Sequence, residues 1–220
     1  MLYPLSYNDI SLVIYYSRMR LLDKSLGFWA RKVLHFFVNG GIAIAALSIP
    51  VEALRPLTVV GFVLILVFES IRLKTRAKQY VHEAVGPLFK AEEALDYSGL
   101  FWASVGALIM ALFASQQAYS YGFAILAVCD ASAAIIGKWW GQKPFYMNKT
   151  FAGSAACLVA AFIVSFVYAQ MFALPVPAMA FASSMALILT FIEVYCYPFD
   201  DNFLILVAAA YGFQIAAFWS

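Results

Sequence analysis

The sequence places one carboxylate inside an apolar segment, and this residue is the first candidate for chemistry. Asp130 lies among small residues in the apolar stretch 123–136. It is about nine residues from the end of the predicted helix, or roughly 13 Å at 1.5 Å per residue. An ionised aspartate at that depth costs about a few kcal/mol or more, which marks a functional position. The alternative is an aspartate that forms a packing hydrogen bond between helices.

A loop rich in lysine and glycine follows Asp130 and ends where the next apolar segment begins. Its lysines could hold a polyanion, although lysines are also typical of cytoplasmic loops. Lys149 is the strongest candidate, because the residues after it open a helix whose free N–H groups and dipole favour phosphate. The spacing is not that of a Walker A loop. The residues that we expect to contact phosphate are Gly137, Lys138, Gly141, Lys143, Lys149, Thr150, Gly153 and Ser154.

A second acidic group precedes the last apolar segment. Asp200, Asp201 and Asn202 are consecutive, and Glu193 lies seven residues before Asp200. Adjacent oxygen donors at a membrane surface suit Mg²⁺, which binds carboxylates, waters and phosphate oxygens together. Taken alone, the same pattern is also typical of a solvated loop in which an aspartate caps a helix.

Charged residues near the start of the chain form a third group. Arg31 and His35 are four residues apart and share a helix face beside Lys32. These side chains could bind phosphate or position a substrate hydroxyl. Equally, they could be cations that extend to the membrane edge. Further along, Glu69 and Arg72 lie one turn apart, and we expect them to pair locally.

The composition indicates an integral membrane protein. Apolar residues make up 65% of the 220 residues and charged residues 12%, whereas soluble domains have about half and about a quarter. Helices satisfy the backbone in lipid most economically, so we predict an all-α, polytopic membrane bundle. Residues 1–28 would form a basic, interfacial segment, and 29–220 the transmembrane domain. The seven predicted transmembrane helices are at about 29–49, 57–73, 98–116, 119–138, 151–172, 176–195 and 202–218.

The distribution of basic residues predicts the orientation of the chain. With a cytoplasmic N-terminus, thirteen of the fourteen lysines and arginines lie in cytoplasmic segments, and Arg55 alone lies outside. This bias follows the positive-inside rule. We therefore expect a multi-pass membrane protein whose candidate chemistry faces the cytoplasm, where nucleotides are found.

The stretch from Cys129 to Ser154 resembles the signature of the CTP-dependent membrane lipid kinases. This family includes dolichol kinase, phytol and farnesol kinases and a eukaryotic diacylglycerol kinase. Its pattern is roughly Gly-Asp-x-x-Ala, Gly-x-x-x-Gly and Lys-Thr/Ser-x-Glu-Gly-Ser. Two positions depart, because Cys129 replaces the Gly and Ala152 replaces the Glu, which removes one possible metal or base contact. The matching residues are Asp130, Ala133, Gly137, Gly141, Lys149, Thr150, Gly153 and Ser154.

The resemblance extends to other segments and implies roles for them. The family has a similar Arg-Lys-x-x-His pattern, a glutamate on its second span and an acidic residue before its third. Here these would be Arg31, Lys32 and His35, then Glu69, then either Glu92 or Glu93, with substrate or phosphate contacts. The resemblance also implies catalytic roles for Asp130, Lys149 and Asp201 and a nucleotide contact for Asn202. The implied Mg²⁺ ligands are Asp130, Glu193, Asp200 and Asp201.

The implied activity of the domain 29–220 is that of a kinase. It would transfer the γ-phosphoryl of CTP, with Mg²⁺, to an isoprenoid-type alcohol (phytol, farnesol or polyprenol) or to diacylglycerol. The expected partners are a nucleotide, a membrane lipid alcohol and the bilayer, and no nucleic acid. The compact chain slightly favours a shorter isoprenoid or phytol, and the sequence does not indicate an oligomeric state.

Two alternatives belong to other functional classes. CTP:phosphatidate cytidylyltransferases carry a similar Gly-Asp…Lys-Thr pattern. However, their Ser-x-x-Lys-Arg…Lys-Asp signature is missing here, since no lysine or arginine follows Lys149. The second alternative is a lipid transporter that uses Asp130 as its coupling residue.

Overall fold

The computed structural model describes residues 24–74, 93, 96–141, 143–147, 149–197 and 199–218. Within these ranges the chain forms seven helices, which confirms the predicted all-α membrane bundle. They are α1 (Lys24–Ser48), α2 (Val51–Lys74), α3 (Gly99–Phe113), α4 (Gln116–Trp140), α5 (Phe151–Met171), α6 (Ala178–Tyr195) and α7 (Asp201–Phe218). An antiparallel hairpin of β1 (Pro144–Tyr146) and β2 (Lys149–Thr150) connects α4 to α5. The sequence did not predict this hairpin.

Six of the seven described helices are long and apolar enough to cross a membrane. The exception is α3, which has 15 residues and is shorter than the predicted span at 98–116. Its length is limited because Ser98 caps its start and Ser115 already caps the start of α4. A helix of that length reaches about 22 Å, against a hydrocarbon core of about 30 Å. Most of the predicted interfacial segment 1–28 lies outside the described residues.

Helix α4 lies at the centre of the bundle and packs against α1, α5 and α7. Small side chains make this close packing possible. A Cβ atom at Gly122 would lie 2.9 Å from Met110 Sδ and 3.1 Å from Leu206 O, so a methyl group there would crowd both neighbours. Ala118 and Cys129 are fully buried on the same helix. Small residues are the usual means by which membrane helices approach one another, since lipid supplies no hydrophobic drive between them.

Hydrogen bonds between helices fix the rotation of α4. Ser120 Oγ donates to Ala43 O at 2.7 Å and lies 2.9 Å from the Tyr168 hydroxyl. The Tyr121 hydroxyl lies 2.6 Å from Ser165 Oγ on α5. Bonds of this kind contribute about 0.6 kcal/mol each on average. Because they set the rotation of α4, they determine which neighbouring helix Asp130 faces.

Helix α2 is the least enclosed part of the described bundle. Of all its residues, only Leu54, Glu69 and Arg72 are buried, and its extensive packing is against α3. Large apolar side chains cover the outer surface, for example Phe37 at 68% exposure and Leu64 at 64%. A surface of this kind suits lipid rather than water. The weak packing between α1 and α2 leaves space between them.

Candidate active site

Asp130 of α4 is bound by two side chains of α1. Lys32 Nζ donates to both carboxylate oxygens, at 2.8 Å and 2.7 Å. His35 Nδ1 lies 3.3 Å from Asp130 Oδ2, but it is not aligned for a hydrogen bond. Lys32 is only 9% exposed, so the two charges neutralise each other in a place where neither would be stable alone.

Two side-chain nitrogen atoms near this ion pair have no hydrogen-bond partner. In the part of the chain that the structure describes, three buried side-chain polar atoms lack a hydrogen-bond partner: Arg31 Nε, His35 Nδ1 and Thr190 Oγ1. Two of the three therefore belong to the N-terminal half of α1. Buried polar groups are nearly always paired, and a guanidinium with a spare donor is well suited to bind phosphate. We name Arg31, Lys32, His35 and Asp130 the α1 cluster.

The α1 cluster forms the polar end of a cavity of about 610 Å³. Helices α1, α2, α3 and α4 form its walls, and most of the lining is apolar. Leu34 of α1 and Leu57 of α2 line the cavity and are also 49% and 56% exposed, so it opens sideways between these helices. A long apolar space with a few polar groups at one end is typical of a lipid site. The charged or amide residues in the lining are Arg31, Lys32, Asn39, Glu93, Asp130 and Asn202.

Glu93 is held at the cavity by a buried network. Gly99 N donates to Glu93 Oε1 at 3.0 Å, and Arg72 donates to the Glu93 carbonyl at 2.5 Å. Arg72 also pairs with Glu69, as their one-turn spacing predicts, and Ser98 donates to the other oxygen of Glu69. Glu69 is fully buried and does not line the cavity. It acts on Glu93 indirectly, by holding Arg72, which donates to the Glu93 carbonyl. Glu92 lies outside the described residues.

A second charged group surrounds Lys149 of β2. Its Nζ donates to Glu193 Oε1 at 2.7 Å and to Asp201 Oδ2 at 3.1 Å, and Ser154 Oγ donates to Glu193 Oε2 at 3.5 Å. Burial alone would lower the pKa of Lys149, but the carboxylates of Asp201 and Glu193 raise it above its ordinary value. Lys149 is therefore a permanent cation shared by two carboxylates. We name Lys149, Ser154, Glu193 and Asp201 the Lys149 cluster.

Asp200 and Asn202 connect the two clusters. Asp200 Oδ1 accepts from Asn202 N at 2.9 Å and from Asn202 Nδ2 at 3.0 Å, so Asp200 caps the start of α7. Asn202 is buried at 7% exposure, lines the cavity and interacts with His35. Its neighbour Asp201 belongs to the Lys149 cluster. Of these three consecutive residues, Asp200 caps α7, Asp201 binds Lys149 and Asn202 lines the cavity.

The described side chains fit a magnesium ion that is bound together with phosphates, and not one enclosed by protein. No three of the described His, Cys, Asp and Glu residues come together in a way that could hold a metal ion. The four predicted ligands are divided, since Asp130 binds Lys32 while Glu193 and Asp201 bind Lys149. However, Mg²⁺ is usually bound through one or two carboxylates plus substrate phosphates. Glu193 and Asp201, which converge on one ammonium, are such a pair.

The glycines of the loop after Asp130 pack the hairpin onto the end of α4. A Cβ at Gly141 would lie 2.3 Å from Gly137 O and 2.5 Å from Thr150 Oγ1, and one at Gly153 would lie 2.8 Å from Ala133 O. Thr150 Oγ1 accepts from Gly153 N at 3.2 Å and so caps α5. These residues therefore position Lys149 whether or not they also contact a nucleotide.

The remaining loop lysines occupy different environments. Lys138 Nζ lies 3.9 Å from the centre of the Phe28 ring, a cation–π contact that connects α4 to α1. Lys143 is exposed beside β1. Neither side chain reaches the cavity lining.

Sequence reasoning missed the pairing of Lys32 with Asp130. The predicted start of the first span, residue 29, placed Lys32 at the membrane edge, whereas α1 begins at Lys24. Lys32 therefore lies about two turns into its helix, at a depth comparable to that of Asp130. A buried carboxylate needs a partner. A lysine at a similar depth in another helix was therefore the signal that could have identified this pair.

Comparisons with known proteins support one reading of this geometry. The chain is 25% identical over 204 residues to CTP-dependent diacylglycerol kinase 1 of Schizosaccharomyces pombe, and the match covers 87% of this chain and 88% of that protein. No family model matches the chain, and no solved structure matches it. The resemblance to CTP-dependent membrane lipid kinases that the motif around Asp130 indicates is thus confirmed. Over most of its length the chain is similar to a CTP-dependent lipid kinase.

Proposed function

We propose that this protein is an integral-membrane lipid kinase that transfers the γ-phosphoryl of CTP to the hydroxyl of a membrane lipid alcohol on the cytoplasmic side. The observation that carries the proposal is the cavity, which is apolar along its length, open sideways towards lipid, and ends at the α1 cluster. The similarity to a CTP-dependent diacylglycerol kinase supports both the donor and the lipid class.

The acceptor would enter between α1 and α2 with its hydroxyl at the polar end. There the hydroxyl can donate a hydrogen bond to Asp130, whose carboxylate Lys32 orients through contacts to both oxygens. Glu93 and Asn202 line the same end of the cavity and limit where the hydroxyl can lie. During transfer a bond forms between the alcohol oxygen and the γ-phosphorus, and the bond from that phosphorus to the β–γ bridging oxygen breaks, so that CDP leaves. The alcohol O–H bond also breaks, and its proton passes to Asp130.

The triphosphate would bind between the two clusters. The spare donor of Arg31 suits the transferred phosphoryl, and Lys149 suits the neighbouring phosphates, with Ser154, Thr150 and the loop lysines beside it. Glu193 and Asp201, with Asp200 next to them, would hold Mg²⁺ when the nucleotide is bound. The ion would neutralise the charge that develops on the phosphates, and catalysis would otherwise consist of positioning. Asp130 faces the acceptor in this scheme, because it lines the apolar cavity whereas Glu193 and Asp201 do not.

The test is transfer from γ-labelled CTP with Mg²⁺ to a panel of diacylglycerol, phytol, farnesol and a polyprenol in detergent, with ATP in parallel. The expected result is a labelled lipid. Label from α-labelled CTP would instead indicate a cytidylyltransferase, and folded protein that labels no lipid would favour a transporter.

A matched control uses Glu52, an exposed acid in the first turn of α2. Glu52→Gln should retain transfer, whereas Asp130→Asn should lose it. Equal loss in both variants would contradict the assignment of Asp130.

A further inference from the structure

We propose that Asn39 donates a hydrogen bond to an ester carbonyl oxygen of the acceptor lipid, so that the site prefers an ester-linked alcohol to its ether-linked counterpart. The proposal rests on the proposed function, because it places the acceptor hydroxyl at Asp130. It extends that function by assigning a specificity-determining residue and the chemical group that this residue recognises.

Asn39 is a polar side chain in the apolar part of the cavity. It belongs to the candidate membrane span Gly27–Ser48 of α1, lines the cavity and is 6% exposed. Past Asn39 the lining from α1 is apolar as far as Ile49. A polar group in such surroundings costs free energy unless it has a partner. Its presence therefore indicates either a packing role or a functional one.

The hydrogen bonding of Asn39 argues against a packing role. Within the described residues its amide makes one hydrogen bond, in which Nδ2 donates to His35 O of the same helix at 2.7 Å. Polar side chains that hold membrane helices together form bonds between helices, as Ser120 of α4 does to Ala43 O of α1. An amide side chain has two N–H donors and a carbonyl acceptor. One N–H of Asn39 is therefore left to donate to a group in the cavity.

The distance of Asn39 from the polar end of the cavity matches the geometry of an ester. His35 Nδ1 lies 3.3 Å from Asp130 Oδ2, and Asn39 is one turn beyond His35, about 6 Å further along α1. In an ester-linked glycerolipid alcohol, about five covalent bonds of roughly 1.2–1.5 Å each separate the free hydroxyl oxygen from the nearest carbonyl oxygen, so these atoms lie up to about 6 Å apart. A hydroxyl bound at Asp130 therefore brings the carbonyl oxygen to the level of Asn39.

Ser104 lies at a similar depth in the wall that α3 forms. It lines the cavity, as does Gly99 at the polar end, and it is about 7.5 Å further along α3 than Gly99. Ser104 Oγ donates its hydrogen to Phe101 O at 2.6 Å, which leaves its oxygen as an acceptor. Of these two side chains, Asn39 is therefore the one that can donate to a carbonyl.

The first experiment compares two acceptors that have the same hydrocarbon chains and the same free hydroxyl. It measures kcat/KM for γ-phosphoryl transfer from CTP to a diacylglycerol and to the matching dialkylglycerol, an ether that lacks both carbonyl groups, with phytol in parallel. For the wild type we expect kcat/KM to be about threefold to tenfold higher for the ester, the contribution of one hydrogen bond. The difference should lie in KM rather than in kcat, because the carbonyl is remote from the reacting atoms. Equal values of kcat/KM for ester and ether would overturn the proposal.

Asn39→Leu removes the amide and keeps a side chain of similar size. It should lower kcat/KM for the ester more than for the ether, so that the two values become equal. The amide bonds to its own helix, so the change leaves no group on another helix without that partner. An unchanged ester preference in Asn39→Leu would overturn the role of Asn39. The comparison of ester and ether in the wild type tests the proposal even if this variant does not fold.

Thr58→Val is the matched control, because it also removes a polar group from the cavity lining and keeps its size. Thr58 Oγ1 lies 2.9 Å from the Tyr119 hydroxyl, and Tyr119 is about 16 Å from Asp130 along α4, beyond the reach of the ester carbonyl. The ratio of the two kcat/KM values should therefore equal that of the wild type. Loss of the ester preference in both variants would mean that it reflects the general polarity of the cavity, and would overturn the assignment of Asn39.

The same assay separates this proposal from the proposed function. Label in phytol and in neither glycerolipid would overturn the role of Asn39 and leave the kinase assignment standing. Absence of label in every lipid would overturn the kinase assignment itself.

Discussion

The α1 cluster and the Lys149 cluster both combine basic and acidic side chains, but the first has more basic residues than carboxylates and the second has more carboxylates than basic residues. In the α1 cluster one carboxylate is bound by Lys32 and a second cation, Arg31, has a spare donor. In the Lys149 cluster one ammonium is shared by Glu193 and Asp201. With histidine neutral, the first group has a formal charge of +1 and the second of −1. The first therefore suits an anion and the second a cation.

The two clusters also differ in what they adjoin. The α1 cluster lies at the end of the apolar cavity, whereas the residues of the Lys149 cluster do not line it. They are nevertheless neighbours, because Asp201 precedes Asn202, which reaches the cavity, and because Asp201 acts electrostatically on His35. Phosphoryl transfer needs a place for the acceptor beside a place for metal and phosphate, and under the proposed function this division would supply both.

The largest effect is expected when the α1 cluster loses its carboxylate. Asp130→Asn should lower transfer by about 10²–10⁴-fold, the usual contribution of a positioned proton acceptor. It should also destabilise the fold, because Lys32 would remain nearly buried without its carboxylate partner. Initial rates per amount of folded protein and thermal unfolding in detergent measure the two effects separately.

A double variant separates catalysis from packing at the same place. Lys32→Met with Asp130→Asn removes both charges and should recover most of the lost stability, since no unpaired charge remains. It should not recover transfer. Recovery of both would mean that Asp130 only holds α4 to α1.

The Lys149 cluster should respond differently. Lys149→Met should lower transfer by about 10²-fold through the loss of a phosphate contact. It should also lower the Mg²⁺ concentration needed for half-maximal activity, because the ammonium no longer competes with Mg²⁺ for Glu193 and Asp201. Titration of activity with Mg²⁺ measures this shift.

Glu193→Gln should raise the Mg²⁺ concentration needed for half-maximal activity. Arg55→Met, an exposed change near the start of α2, should leave that concentration unchanged. If Lys149→Met and Glu193→Gln shift the requirement alike, the Lys149 cluster is not the metal site.

The same contrast shows how far sequence reasoning reached. The seven helices followed from apolar segments, although α3 is shorter than its predicted span, and the Glu69–Arg72 pair followed from a local spacing of three residues. The Lys32–Asp130 pair joins residues 98 apart, and it depends on the rotation of α4, which the buried bonds of Ser120 and Tyr121 set. Such contacts are properties of tertiary packing, and the sequence indicates this one only indirectly, through a lysine and a carboxylate at similar depths in two helices.

A smaller effect should follow from loosening the support of only one cluster. Gly141→Ala places a methyl group 2.5 Å from Thr150 Oγ1 and 2.3 Å from Gly137 O, so the hairpin that carries Lys149 must shift. We expect a loss of about 1–3 kcal/mol in the free energy of unfolding and a raised KM for CTP. The KM for lipid should change little, because the α1 cluster does not rest on the hairpin.

Gly41→Ala is the control for this loss, since nothing lies within 4 Å of a Cβ at that position and alanine is a better helix former. Both KM values and denaturation in detergent should match the wild type there. An equal rise in the KM for lipid and for CTP in Gly141→Ala would mean that the clusters are not separately supported.

The smallest effect concerns pH. The pKa of Lys149 is raised in the folded protein, so the stability that its charge contributes is complete below the unfolded pKa of about 10.4 and is lost as pH rises through the higher folded value. The difference in Tm between wild type and Lys149→Met should therefore be constant from neutral pH to about pH 10 and shrink only above it. A difference that already shrinks near neutral pH would mean that Glu193 and Asp201 do not stabilise the cation, and the excess of negative charge that distinguishes this cluster would have to be reassigned.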